Sequence, residues 1–267
     1  MGRPLFVSLG GGVDPTRRFS SRVENYVRYR PGYPGGILDV LRDRCGLDAE
    51  SVVVDVGSGT GALSRVFLEN GNRVFGVEPN TEMRHAGERL LADYEGFSSV
   101  VGTAERTTLP DGRADFVTAG QAFHWFDLAP TRAEFLRILR PGGWVVLVWN
   151  ERKAEAAGFA AAYERLLEAH GTDYEQVRHD GREKTDQMQR FFHPSSVETA
   201  VFDNAQTFDL AGIKGRLLSS SYVPAVGEPG CARMLDELED IFRQHERDGQ
   251  VILRYATRLY FGVLTDA

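Results

Sequence analysis

The sequence predicts an α/β fold: a Rossmann-like, doubly wound and mostly parallel seven-stranded sheet, with an antiparallel hairpin at one edge and a small lid of helix and loop. Three observations carry this. Short β-branched runs alternate with helix-patterned segments through Trp149, the grammar of parallel strands joined by right-handed crossovers. The run Val52-Val53-Val54-Asp55-Val56 flows directly into Gly57, Gly59 and Gly61 and then into a helical pattern, which reads as strand, binding loop and helix. After Asn150 the alternation stops; an amphipathic helix pattern from Met234 to Gln244 precedes a period-two run from Val251 to Leu264, suited to an antiparallel edge.

The chain of 267 residues can bury a substantial core and reads as one domain in three stretches. These are a leader and N-terminal cap over 1–36, a ligand-binding core over 37–150, and a completion of the sheet over 151–267 with a lid inserted at about 171–222. Lys and Arg number 31 against 38 Asp and Glu, a net charge of −7, so no nucleic-acid partner is expected. Cys45 and Cys231 stand alone without partner spacing, so neither a disulfide nor a metal site is expected, and a reduced cytoplasmic setting fits. Leu5-Phe6-Val7 is shorter than a signal-peptide core and is followed by Gly10-Gly11-Gly12, which reads as a flexible leader; no membrane span is expected. The oligomeric state stays open.

Residues 1 to about 18 look unstructured. Phe19 to Pro34 reads as a short helix ended by Pro31 and Pro34. Either its tyrosines pack on the domain, or Tyr26, Arg30 and Tyr33 cover the ligand loop, Arg30 being suited to a carboxylate. Ile37 to Cys45 is helical, with Gly46 as its stop. Past the glycine loop, Leu63, Val66 and Phe67 share a helix face that Gly71 ends. Arg73 to Glu78 is a second strand whose final acid, about 20 residues past the glycines, can accept both hydroxyls of a ribose. Asn80 opens the next helix, whose Met83 reads either as lying beside a nucleoside or as core packing. Val100 to Glu105 reads as a third strand, with Glu105 able to accept from an adenine amine. Asp115 to Ala119 is a fourth strand, Thr131 to Leu139 a helix, Arg140-Pro141-Gly142-Gly143 a tight turn, and Trp144 to Trp149 a fifth strand. Beyond them Ala154 to His170 is helical and Gly171 to Lys184 is charged and loop-like. Phe202 to Leu210 and Ser219 to Pro224 mix strand and short-helix signals.

The fourth strand leads into Gly120-Gln121-Ala122-Phe123-His124-Trp125-Phe126-Asp127, an aromatic, polar-studded loop at the strand end where open α/β sheets bind ligands. Asp55, two residues before Gly57, would repel a pyrophosphate and tolerate an amine-bearing ligand. Asp55-x-Gly57-x-Gly59-x-Gly61, Glu78, Glu105 and the Leu139-Arg140-Pro141-Gly142-Gly143 turn together resemble the class I S-adenosylmethionine-dependent methyltransferase pattern. The Arg30-Pro31-x-Tyr33-Pro34 element, the Phe123-His124-Trp125-Phe126 loop, Ser220-Ser221-Tyr222 and Tyr255-x-Thr257 are similar to a small-molecule subgroup, methyltransferase type 11, that includes trans-aconitate-methyltransferase-like proteins. The resemblance implies S-adenosyl-L-methionine as cofactor, S-adenosyl-L-homocysteine as product and a small-molecule methyl acceptor. It further implies that Gly57, Gly59 and Gly61 approach the methionine part and ribose, that Glu78 binds the ribose, that Ala104 and Glu105 flank the adenine, and that Gln121 lies near the sulfonium. Asp55, Met83 and Arg30 are expected on the cofactor side, and Tyr26, Tyr33, Trp125 and Tyr222 in the substrate pocket.

Methyl transfer from a sulfonium needs alignment and exclusion of water more than acid–base machinery, so the lack of a triad or metal constellation is no obstacle. A carboxylate acceptor needs no base. For a hydroxyl or amine His124 is the candidate base, the other reading being a histidine satisfied by loop backbone groups. Three rivals fit part of the pattern. An NAD(P)-dependent oxidoreductase matches Gly57-x-Gly59-x-x-Ala62, but Asp55 and the lack of a Tyr-x-x-x-Lys pair weigh against it. A methyltransferase acting on RNA or protein is disfavoured on the RNA side by the acidic balance. A cofactor-binding module without an acceptor pocket is the non-enzyme reading.

Overall fold

The structure is a computed structural model that describes residues 23–172, 174 and 181–265, with the backbone alone for 181–185; the leader expected at 1–18 lies outside the described residues. In chain order the elements are α1 (Val23–Tyr29), α2 (Gly36–Cys45), β1 (Val52–Val56), α3 (Ala62–Glu69), β2 (Arg73–Val77), α4 (Thr81–Leu90), β3 (Phe97–Val100) and β4 (Ala114–Gly120). They continue with α5 (Leu128–Ile138), β5 (Leu139–Arg152), α6 (Gly158–His170), α7 (Gly181–Phe192), β6 (Glu198–Phe208), α8 (Leu210–Leu218), α9 (Cys231–His245) and β7 (Val251–Val263).

The strands form one seven-stranded sheet in the order β3-β2-β1-β4-β5-β7-β6, parallel from β3 to β5 and antiparallel at β7 and β6. All five residues of β1 are buried, as a β-branched strand at the centre of a two-sided sheet must be. Alternate side chains feed opposite layers. Val53, Val74 and Val146 meet Ile37 and Leu41 of α2 and Leu63 and Phe67 of α3. On the other face Val54, Val117 and Val145 meet Phe135 of α5 and Met188, Phe191 and Phe192 of α7. The far end of β7 and β6 overhangs β5: Arg152 pairs with Tyr255, while Val251 to Arg254 pair with β6 alone. Helices α6, α8 and α9 cover that overhang with a separate core containing Tyr163, Leu166, Ile213, Leu217, Leu238 and Phe242. A recess results between this overhang and the carboxyl ends of the parallel strands.

Several boundaries differ from the sequence expectation, each for a local reason. The third strand is Phe97–Val100, not Val100 to Glu105. Thr103 and Arg106 exchange backbone hydrogen bonds there, and a Cβ on Gly102 would lie 2.7 Å from the Thr107 carbonyl oxygen, so the chain folds tightly where the strand was expected. The Arg140 to Gly143 turn is absorbed into β5 as a bulge, where the register steps from Ala114↔Leu139 to Phe116↔Trp144. Helix α5 starts at Leu128 and not Thr131, because Pro130 falls in a first turn that needs no amide donor. Helix α6 starts at Gly158 and not Ala154. The stretch 171–222, expected as lid, contains α7, which packs into the main core, and β6, which is the edge strand of the sheet. No turn joins the antiparallel edge pair; α8 and α9 intervene.

Candidate active site

The glycine loop leaves β1 with Gly57, Gly59 and Gly61 at φ of 67°, 58° and 82°, a left-handed conformation that glycine adopts without strain. Bonds from the Gly57 and Ser58 amides to the Val77 carbonyl, 2.8 and 3.1 Å, hold the loop against the end of β2. Space is also tight: a Cβ on Gly57 would lie 2.6 Å from Ala122 Cβ, and one on Gly61 2.4 Å from Leu91 Cδ1. From β2 the Glu78 carboxylate reaches across, accepting from the Gly59 amide at 2.9 Å and from the Asn80 amide at 2.8 Å. Burial pushes the Glu78 carboxyl upward, against those two amides and Arg84. Met83, buried on α4, brings its Cε to 3.3 Å from where a Gly59 Cβ would stand.

Asp55 lies beneath the loop. Its two carboxylate oxygens accept from Ser64 Oγ at 2.6 Å and Thr118 Oγ1 at 3.0 Å, and it is 1% exposed. Burial raises it to about 6 in spite of both hydroxyls. In this geometry Asp55 shapes the loop from below, while Glu78 holds it from the side. Ala104 is buried, and half-buried Glu105 accepts from the Asp127 amide at 3.1 Å, at the N-terminus of α5.

Gln121 is held in the left-handed region, φ 57°, at the exit of β4. Its amide donates to Val148 O at 2.9 Å and its Nε2 to Asn150 O at 3.0 Å, so β5 clamps both ends of a residue whose backbone strain costs about 1–3 kcal/mol. Phe123 anchors the following 3-10 turn in the core against Trp149 and Phe191, which leaves His124 and Trp125 in contact, ring centroids 4.6 Å apart and planes tilted by 45°, and lining a cavity. Phe126 lies instead against Gly57.

That cavity, about 550 Å³, is lined by Tyr26, Arg30, Gln121, His124, Trp125 and Asn150 on the strand-end side, and by Arg152, Glu164, Tyr174, Arg216, Tyr222 and Tyr255 under the overhang. Tyr26, Trp125 and Tyr222 thus line one cavity together. Arg30, read as a cofactor-side residue, lies in this cavity, with its Nη2 donating to Ser219 O at 3.0 Å and its guanidinium over the Tyr26 ring. Tyr33 sits outside the cavity lining, with its hydroxyl 2.5 Å from the Cβ position of Gly120.

Sequence reasoning missed the clamp on this segment. Asn150 donates to the Pro31 and Gly32 carbonyls and accepts from Thr257, and Asn204 also donates to Gly32 O, so three strands fix the N-terminal cap over the strand ends. It also missed Ser64, Thr118, Arg152 and Arg216. The position of Asn150 and Arg152, directly past the fifth apolar run, was the available signal; Arg216 stands among Ile213 and Leu217 with none.

Comparison with known proteins agrees with this geometry. Residues 54–147 match the family described as "Methyltransferase domain" (Methyltransf_11). The chain is 40% identical over 139 residues to the uncharacterized methyltransferase Rv3342 of Mycobacterium tuberculosis, a match spanning about half of each protein, 52% of this chain and 54% of the relative. A structure from Anaeromyxobacter dehalogenans, provisionally described as a type II methyltransferase, shares the fold at a TM-score of 0.64 and 24% identity, covering 88% of this chain and 97% of the other. Phosphoethanolamine N-methyltransferase 2 of Haemonchus contortus, solved with S-adenosyl-L-methionine, shares it at 0.56 and 14%, covering 96% of this chain and 61% of that one. Over residues 54–147 the chain is thus similar to the methyltransferase-domain family, and its fold is one that methyltransferases share.

Proposed function

We propose that the protein transfers a methyl group from S-adenosyl-L-methionine to the oxygen of a small-molecule acceptor, a carboxylate or a hydroxyl, by in-line displacement. The observation that carries this reading is the meeting of two sites at Gln121. On one side Ala122 lies against Gly57 of a glycine loop closed by Glu78; on the other Gln121 lines a cavity of about 550 Å³. That volume suits a metabolite-sized acceptor.

The residues fit an adenosyl ligand. Gly57, Gly59 and Gly61 allow close main-chain approach, Glu78 offers acceptors to a ribose, and Met83 and Ala104 supply apolar surface. When bound, the sulfonium supplies an electrophilic methyl group and a leaving group that departs neutral. Positioning of the acceptor falls to Gln121, fixed by β5, and to Trp125, while the clamped N-terminal cap shields the strand ends from water. For a carboxylate acceptor no proton moves. For a hydroxyl, His124 would take the proton.

Calorimetry with S-adenosylhomocysteine and with NAD tests this reading against an oxidoreductase. Turnover of labelled methyl donor over a panel of carboxylic and hydroxy acids tests the acceptor. Methyl esters or ethers as products support the reading; product formed only on RNA or protein substrates refutes the small-molecule assignment.

A further inference from the structure

The cavity has a charge pattern that methyl transfer does not require. Arg30 follows α1, Arg152 ends β5 and Arg216 lies on α8, yet all three line the same space, and the Nε of each is buried without a hydrogen-bond partner. Arg216 is 3% exposed. The bonds that their other nitrogens make go mostly to neutral oxygens. Arg152 donates to the Tyr222 hydroxyl at 3.2 Å and to the Tyr174 hydroxyl at 2.6 Å, Arg216 to Ser220 Oγ at 3.1 Å, and Arg30 to the Ser219 carbonyl.

Among the described residues, Glu164 is the one carboxylate within 4.0 Å of any of the three, at 3.2 Å from Arg152. Of the neighbouring cations on the rim, Lys153 pairs with Asp203 and Arg254 with Glu155. Three guanidiniums against one carboxylate leave an excess of two positive charges in a mostly buried space while the Tyr222 phenol is protonated. Such an excess is costly without an anion to meet it. Burial, and then Arg216, push the Arg30 guanidinium downward, whereas against burial the surrounding tyrosines, with Glu164 at Arg152, hold Arg152 and Arg216 upward.

We infer that Arg30, Arg152 and Arg216 form the seat of an oxyanion group, a carboxylate or a phosphate, borne by the methyl acceptor and distinct from the atom that is methylated. Planar guanidiniums with vacant N–H groups match the paired oxygens of such a group. The separation follows from chemistry: an oxyanion whose lone pairs are held by guanidiniums is a dulled nucleophile. The reacting atom belongs near Gln121 and His124, whose loop touches the glycine cradle through Ala122 at Gly57. The acceptor class is therefore a small molecule with an anionic anchor and a second, nucleophilic oxygen. That the ligand is the acceptor rests on the methyltransferase reading; the seat itself does not.

Titration calorimetry at constant ionic strength tests the seat, with inorganic phosphate, glutarate and neutral glutaramide as probes and S-adenosylhomocysteine titrated in parallel. Saturable one-to-one binding of phosphate or glutarate is expected, without binding of glutaramide, and the stronger of the two anions tells phosphate from carboxylate. Arg216→Gln and Arg30→Gln should each weaken that binding at least tenfold and leave S-adenosylhomocysteine affinity within about twofold. If Arg216→Gln does not fold, Arg30→Gln, which is less buried, decides. Absence of saturable anion binding in the parent protein, or undiminished binding in the folded variants, overturns the inference. Anion binding without S-adenosylhomocysteine binding would overturn the methyltransferase reading and leave the seat standing.

Discussion

The carboxylate of Glu78 closes the glycine loop from the neighbouring strand, accepting from the Gly59 amide at 2.9 Å while its second oxygen accepts from the Asn80 amide at 2.8 Å. One side chain thus fixes the loop and the start of α4 relative to each other. Glu78→Gln turns one acceptor into a donor facing an amide N–H. We expect S-adenosylhomocysteine affinity to fall tenfold or more, about 1.4 kcal/mol, with an unchanged far-UV spectrum. Unaltered affinity would remove Glu78 from the site.

Gly59 and Gly61 separate binding from stability. Gly61→Ala puts a Cβ 2.4 Å from the buried Leu91 side chain in a left-handed backbone and should cost about 1–3 kcal/mol in urea unfolding. At Gly59, also left-handed, the nearest obstacle is the flexible Met83 methyl at 3.3 Å, so Gly59→Val should cost about 1–2 kcal/mol of backbone strain, with no core clash, and leave a folded protein that no longer binds S-adenosylhomocysteine.

His124 lines the cavity and lies against Trp125. With a hydroxyl acceptor, His124→Ala should lower kcat roughly 100-fold or more and leave S-adenosylhomocysteine affinity unchanged. An equal loss in both would mark it as a structural member of the loop.

Tyr222 gives a pH signature. Burial alone would raise its phenol, but Arg152, then Arg216 and Arg30, outweigh burial and set it at about 7. Tyr163, Glu164, Tyr174, Ser220 and Tyr255 also surround these groups. A folded value below the unfolded one, about 10, means that ionisation stabilises the fold as pH rises through 7 and contributes nothing below it. The stability lead of the parent over Tyr222→Phe should therefore be larger at pH 9 than at pH 6, by at most about 1.4 kcal/mol per pH unit above 7. A pH-independent difference in urea melts would contradict this. The same ionisation competes with a bound oxyanion, so anion affinity should fall above pH 7 in the parent and not in the variant.

The sheet was legible because β1 and the stretch of β5 from Val145 to Trp149 are buried on both faces, which demands apolar, β-branched-rich runs that stand out in sequence, and β2 and β4 repeat that pattern in shorter form. Glu78 was legible for a related reason: it ends such a run at a fixed distance from the glycines. Glu105 was placed on a strand that stops five residues earlier, because a tight turn around Gly102 and a strand end use the same small and β-branched residues. The Arg30, Arg152 and Arg216 cluster was not legible. Its members lie on three elements that meet only because β7 and β6 overhang β5, and no local pattern records that overhang. Arg30 shows the difference: its suitability for an anion was readable from its chemistry, its place in the cavity under the overhang only from the fold.

The most direct test of the central claim is titration of one preparation with S-adenosylhomocysteine and with NAD. The Glu78-closed glycine loop predicts one-to-one binding of S-adenosylhomocysteine, weakened in Glu78→Gln, and no binding of NAD. Binding of NAD without S-adenosylhomocysteine would contradict it.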